Sequence, residues 1–254
     1  WIGARTSANP FLMQELADAL TDTDIPVLVK NPVNPDLSLW MGALERLNNA
    51  GVTKLGVIHR GFSSADEKRL RNSPQWQLAI ELRSRIPDMP FFCDPSHMSG
   101  CKEFIPELSQ RAMNLGLDGL MIESHCDPSC ALSDASQQLT PSELINLLES
   151  LSVRDNDTLD VAYRENIEQL RAQIDEYDNE IIRILAGRMT VSRKIGEYKK
   201  QNNVAILQTG RWDAVMEKMR QEAALHDLDP DFVAKVFNAI HEASVKEQNQ
   251  ILVK

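Results

Sequence analysis

The stretch VLVKNP, residues 27–32, is a run of branched aliphatic residues that stops at an ammonium group and a proline. Val-Leu-Val suits a strand covered on both faces, and Lys30 then sits where that strand gives way to a polar loop. The pattern recurs over the first 150 residues. Strand-like runs at 1–2, 26–29, 54–58, 90–93 and 119–122 alternate with stretches of helical spacing at 10–20, 35–49, 74–85, 102–115 and 141–151. Several of these stretches open on Pro, as at Pro74 and Pro141, where a missing N–H costs a first helical turn nothing. This alternation predicts parallel strands covered by helices.

Each strand run is followed by polar groups: GAR at 3–5, KNP at 30–32, HRG at 59–61, DPSH at 94–97 and ESH at 123–125. Side chains gathered at one end of a sheet from several strands are how a (β/α)8 barrel builds a site, and open α/β sheets also bind ligands there. The barrel is the expectation. Five units are visible, so three further units are expected ahead of residue 1.

The 254 residues are 43% hydrophobic and 25% charged, enough for a large core, and the net charge is −10. That balance gives no reason to expect nucleic acid or an anionic membrane as partner, whereas local basic clusters still suit small anions. Cysteines at 93, 101, 126 and 130 form no CxxC pair, which favours a reducing compartment. No apolar run is long enough for a membrane span, and the cytoplasm is the expected location.

Arg5, Lys30 and Arg60 each follow a strand run. Arginine offers paired donors and lysine a compact charge, a combination suited to phosphate. A single cation after a strand is usually solvated surface, but three in register point to one anion. His97, Glu123 and Asp134 come from consecutive loops of the same rim. One nitrogen and two oxygen ligands suit divalent Mn, Fe, Co or Zn. Their spacing is irregular, and a core histidine, a surface glutamate and a capping aspartate form the plainer alternative. His125 and Cys126 are taken as supporting residues.

Past residue 151 the composition changes. The polar segment VRDNDTLDV suggests a linker over 152–160, between a first domain at 1–151 and a helical one at 161–254. Helical stretches are expected at 159–201, 210–225 and 231–252. The first would be roughly 60 Å long. A domain of this size cannot bury it, so a second chain is expected against it. Arg188 and Lys199 lie about 20° apart around that helix and about 16 Å apart along it, close enough to share a small dianion. Arg171 stands about 25 Å back and about 100° around, and so suits a site shared with the partner helix. A charged solvent face is the alternative.

The run GAR, VLVKNP, IHRGF, CDPSH, ESH and LSDASQQL resembles, in order, the last five units of the 3-deoxy-D-arabino-heptulosonate 7-phosphate (DAHP) synthases of the barrel subgroup most like the 3-deoxy-octulosonate phosphate synthases. The resemblance implies metal-dependent condensation of phosphoenolpyruvate with erythrose 4-phosphate. It assigns Ala4, Arg5, Lys30 and Arg60 to phosphoenolpyruvate, and His97, Glu123 and Asp134 to the metal. The family's fourth ligand, a cysteine in a GPCS-like segment, and its KPRT-like segment do not occur here. The chain alone is therefore not expected to perform the condensation.

The segments LRAQIDEYDNEIIRILAGRMTVSRKIGEYKK, GRWDAV and LDPDFVAKVFNAIHEASVKEQ resemble the all-helical AroQ-type chorismate mutases. That family converts chorismate to prephenate without a cofactor. The resemblance assigns Arg188, Arg211 and the partner's Arg171 to the substrate carboxylates, Lys199 and Gln248 to the ether oxygen, and Ser244 to the same wall. Trp212 and Gln208 depart from the acidic residues common at these places. An alternative role for the bundle is to dimerise the protein through its helices and sense chorismate or prephenate.

Overall fold

The computed structural model describes residues 1–65, 67–154, 160–206 and 209–253, without the side chains at 209, 211 and 253. Residues 155–159 of the expected linker lie outside the described residues. The chain divides into two compact units, Trp1–Asp157 and Thr158–Lys254.

The first unit runs α1 (Ala4–Ser7), α2 (Pro10–Leu20), β1 (Val27–Lys30), α3 (Leu37–Asn49), β2 (Leu55–His59), α4 (Trp76–Arg85), β3 (Phe91–Cys93), α5 (Pro95–Ser99), α6 (Ile105–Asn114), β4 (Gly119–Leu120) and α7 (Pro141–Ser150). Single 3₁₀ turns at Pro128–Cys130 and Ala135–Gln137 interrupt the loop after β4. The sheet is parallel, in the order β1-β2-β3-β4, with Val29 beside Val57, Val57 beside Phe91 and Cys93 beside Leu120. Right-handed crossovers between neighbours in sequential order put every covering helix on one face, which makes the sheet a segment of barrel wall. The strand expected at 1–2 is reduced to a parallel bridge between Ile2 and Val29, and Ser124 bridges Leu139 in the same sense beyond β4.

Alternation along the strands sorts the two faces. Val27, Val29, Val57 and Phe91 enter a core with Met13, Ala17, Trp40, Leu44, Leu47 and Leu82 from α2, α3 and α4. On the opposite face Gly56 sits beside Leu28 and Gly119 beside Phe92. A Cβ at Gly56 would come within 2.7 Å of the Leu28 side chain, and one at Gly119 within 2.9 Å of the Phe92 ring. Each large side chain thus uses the space its neighbour leaves empty.

Capping fixes where the helices begin. The Asn9 side chain accepts from the Phe11 and Leu12 amides ahead of Pro10, and Thr140 and Glu143 form a reciprocal capping box around Pro141. Pro74 does not open α4 as expected. An antiparallel bridge between Phe62 and Ser73 keeps the chain extended, and Gln75, at φ 39°, reverses it before the helix starts at Trp76.

His59 closes β2 inside a cage of Trp40, Phe62 and Trp76 rings and is fully buried. Neither ring nitrogen makes a hydrogen bond of normal geometry, although the Pro74 carbonyl comes near. Burial lowers its pKa to about 4, only partly opposed by that carbonyl. The folded state therefore holds a neutral ring that the unfolded chain protonates near pH 6.5. Stability from this site is complete above about pH 6.5 and falls as the pH drops towards 4, by about 3 kcal/mol in total. Urea unfolding of the first unit at pH 7, 5.5 and 4.5 should show this slope, and His59→Phe should flatten it. An unchanged slope in the variant would assign it to other groups.

The second unit is a helical bundle of α8 (Val161–Gln201), α9 (Thr209–Leu225) and α10 (Pro230–Val253), in which α10 packs on both others. Asp160 caps α8 by accepting from the Tyr163 amide. Where α10 crosses α8, Gly196 is buried, and a Cβ there would lie 3.2 Å from the Gln248 and Ile251 side chains and 3.3 Å from the Gln248 Cα. Along α8, Leu170, Ile174 and Ile181 are each more than half exposed, at helical spacing. No helix among the described residues is long and apolar enough to cross a membrane.

Candidate functional site

In the first unit Ala4, Arg5, Lys30 and Arg60 line one cavity of about 920 Å³ together with His97, Glu123 and Asp134. Arg71, Asn72 and Asp94, none of them singled out from the sequence, line it as well.

Asp94 is the hub. It follows β3 directly, its amide donating to the His59 carbonyl at 2.8 Å, which aims its side chain into the cavity. Its Oδ2 accepts from the buried Lys30 Nζ at 2.7 Å and lies 2.9 Å from His97 Nδ1, while its Oδ1 caps α5 through the His97 amide at 3.0 Å. Burial raises the Asp94 pKa, but the close His97 ring and the hydrogen-bonded Lys30 ammonium outweigh it and hold the carboxyl below its usual range.

Asn31 ties two loops together. Its Nδ2 donates to the Pro32 and Gly61 carbonyls, both at 2.8 Å, and its Oδ1 accepts from the Arg60 amide at 2.7 Å. Gly61 has φ 78°, and a Cβ on it would meet Asn72 at 2.8 Å. The Arg60 guanidinium donates to Asn72 Oδ1 at 2.8 Å. Burial lowers its pKa against the pull of Asp94, and the charges of Arg71 and Arg5 lower it further. Cations set this close together, one of them sunk below the surface, are an arrangement that an anion relieves.

His97, Glu123 and Asp134 each offer a ligand atom, all within 4.8 Å of one another. His97 Nε2 is 3.5 Å from Glu123 Oε1. The fully buried Gln137 donates from Nε2 to Glu123 Oε2 at 3.0 Å, and its Oε1 accepts from Arg71 Nη1 at 2.9 Å. The same Arg71 nitrogen donates to Asp134 Oδ1 at 2.7 Å, and this bond above all holds the Asp134 pKa below its usual range. One imidazole and two oriented carboxylates fit a divalent cation, and Gln137 and Arg71 supply the outer contacts that fix such ligands. His125 and Cys126 stand outside this group: the His125 ring accepts from the Asp127 amide within its own loop, and Cys126 is exposed.

In the bundle Arg188 Nη1 donates to Ser244 Oγ at 2.5 Å, and Ser244 Oγ donates to the Ile240 carbonyl at 2.8 Å. One turn on, the buried Gln248 donates from Nε2 to Ser192 Oγ at 3.0 Å. Lys199 Nζ donates to the Ile206 carbonyl at 2.6 Å. Arg171 is not part of this cluster; it is exposed and pairs with Glu168 at 2.9 Å. Gln208 and the Arg211 side chain lie outside the described residues. Trp212 stacks on His241, with ring centroids 3.9 Å apart. Ser192 was not marked by the sequence pattern, because an isolated serine inside a helix carries no motif.

Fold and cavity together define a barrel-type α/β unit whose cavity gathers basic side chains beside a His-Glu-Asp group that could hold a metal ion, followed by a helical bundle. The chain belongs to the DAHP synthetase I family, which it matches over residues 1–159, and residues 170–249 match the type II chorismate mutases. A phospho-2-dehydro-3-deoxyheptonate aldolase of Thermotoga maritima is 29% identical over 162 residues, covering 61% of this chain and 46% of that protein. A chorismate mutase of Methanocaldococcus jannaschii is 27% identical over 88 residues, covering 35% of this chain and 89% of the relative. A solved truncated form of the Thermotoga maritima 3-deoxy-D-arabino-heptulosonate 7-phosphate synthase superposes with a TM-score of 0.52 at 28% identity, over 58% of this chain and 54% of that one. The chain thus spans about half the length of the aldolase relative it matches, and nearly all of the mutase.

Proposed function

We propose that the protein is a bifunctional enzyme of the shikimate pathway, joining phosphoenolpyruvate to erythrose 4-phosphate in a barrel unit over 1–151 and rearranging chorismate to prephenate in a helical unit over 161–254, with 152–160 as linker. The observation that carries the first activity is the convergence of Arg5, Lys30 and Arg60 with His97, Glu123 and Asp134 on one cavity. In this reading Arg5, Lys30, Arg60 and the Ala4 backbone hold phosphoenolpyruvate. Asp94 keeps the Lys30 ammonium aimed along the strand end, so that C3 of the bound enolate ester faces the aldehyde of erythrose 4-phosphate. Carbon–carbon bond formation at C3 is followed by water addition at C2 and loss of phosphate. His97, Glu123 and Asp134 would hold a divalent ion, Mn, Fe, Co or Zn, which when bound polarises the aldehyde.

The rearrangement needs no covalent catalysis and no cofactor. Arg188, Arg211 and the Arg171 of a second copy would grip the two carboxylates of the compact conformer, Lys199 and Gln248 would face the ether oxygen as negative charge gathers there, and Ser244 would complete the wall. The half-buried Arg188–Ser244 pair supports this reading. The exposed apolar stripe on α8 supports a homodimer. Four free cysteines are in keeping with the cytoplasm.

Assay of both reactions with this chain, Mn²⁺ being present for the first, tests the proposal. Chorismate turnover is expected, whereas condensation is not expected from this chain alone, which has no GPCS-like or KPRT-like segment. Its absence from a folded dimer that binds prephenate would favour the second reading, to which the same stripe lends itself: a dimerising sensor module.

A further inference from the structure

Gln248 is buried, and its Oε1 has no hydrogen-bond donor among the described residues. Its Nε2 is spent on Ser192 Oγ at 3.0 Å. Ser192 is itself buried, and its hydroxyl reaches across to the Ser244 carbonyl of α10 at 3.5 Å, the limit of a hydrogen bond. A helical hydroxyl ordinarily turns back to its own preceding turn, as Thr190 does to the Ala186 carbonyl at 3.0 Å. Ser192 instead keeps a weakly used donor beside an acceptor that lacks one.

We propose that Ser192 is a positioning residue that lets Gln248 switch its amide between two orientations, and that a ligand with a neutral acceptor oxygen selects the second. The proposal rests on the chorismate reading above. Rotation of the amide by half a turn puts Oε1 where Nε2 now stands. The Ser192 hydroxyl then turns from the Ser244 carbonyl to donate to Oε1, and both Nε2 protons are released. No proton changes its heavy atom. Without a ligand the bond from Nε2 to Ser192 Oγ keeps the observed orientation ahead. An ether oxygen supplies the acceptor, and it becomes a stronger one as its bond to carbon lengthens, so the switched state is favoured most in the transition state. Alanine at 192 has no proton to give, and the switched Oε1 would stay buried without a partner.

The test is a double-mutant cycle on chorismate turnover with Ser192→Ala, Gln248→Met and the pair. Ser192→Ala should lower kcat about 3- to 10-fold with KM changed less than about twofold, the worth of one hydrogen bond at the rate-determining step. In the Gln248→Met background the same change should cost less than about twofold, since no amide remains to orient. An unchanged kcat in Ser192→Ala overturns the proposal. An equal loss in both backgrounds, accompanied by an equal fall in melting temperature, also overturns it, because the role is then structural. Absence of turnover in the unaltered chain overturns the chorismate reading, and this one with it.

Discussion

Replacing Arg188 by alanine should lower chorismate turnover by about 100- to 1,000-fold while leaving the bundle helical. The guanidinium reaches from α8 to Ser244 on α10, so it is held in place before any substrate arrives. A preorganised cation of this kind meets an anionic substrate without first reorganising, which is where most of its catalytic worth lies. Truncation removes that charge and leaves Ser244 bonded to the Ile240 carbonyl within α10, while the Gln248–Ser192 hydrogen bond still joins α10 to α8. Initial rates of chorismate consumption, with circular dichroism as the folding control, measure the effect. A loss below about tenfold in a folded variant would mean that the carboxylates are gripped elsewhere.

Asp94→Ala should destabilise the first unit by about 3–5 kcal/mol. The substitution strands the Lys30 ammonium in a buried site, and it also removes the cap of α5. Asp94→Asn keeps an oxygen for the cap but presents an amide NH2 to Lys30 in place of the accepting oxygen, so only the loss of the cap is spared and its cost should be smaller. Guanidinium unfolding of both variants gives the comparison; a loss under about 1 kcal/mol for the alanine would show that Lys30 escapes to solvent. Because the Asp94 pKa is held below the usual carboxylate range, its contribution is present above the ordinary carboxylate pKa and is lost only in stronger acid. That window lies beneath the one set by His59, and the two can be separated by titration.

The alternation of strand and helix was legible in the sequence because each element carries its own period: VLV and LGVIH read as buried strands wherever their partners lie. Ends set by contacts from elsewhere were not legible. Pro74 looked like a helix start because its local preference fits one, and the Phe62–Ser73 bridge overrules that preference. The cavity residues with local punctuation, such as Lys30 after its strand and His97 after DPS, could be picked out one by one. Gln137, Arg71 and Ser192 could not, since each acquires its meaning from a group 14 (Gln137 to Glu123), 63 (Arg71 to Asp134) or 56 (Ser192 to Gln248) residues away. Asp94 was in plain view inside DPSH, yet nothing in that motif says that Lys30 will lie beneath it.

Gly196 gives the bundle a fulcrum. It is a point of close approach between α10 and α8, and a single methyl group there would have to push the Gln248 and Ile251 side chains and the Gln248 backbone away by a few tenths of an ångström. Ser244 and Gln248 ride on the same rigid rod, one turn apart, so any tilt at the fulcrum is handed to both, while Arg188 and Ser192 stay with the other rod. The tolerance of the whole polar cluster is thus set by the residue that has no side chain. Sequence drift among the charged positions can be absorbed by flexible arms, but drift at this position changes the distance those arms must span.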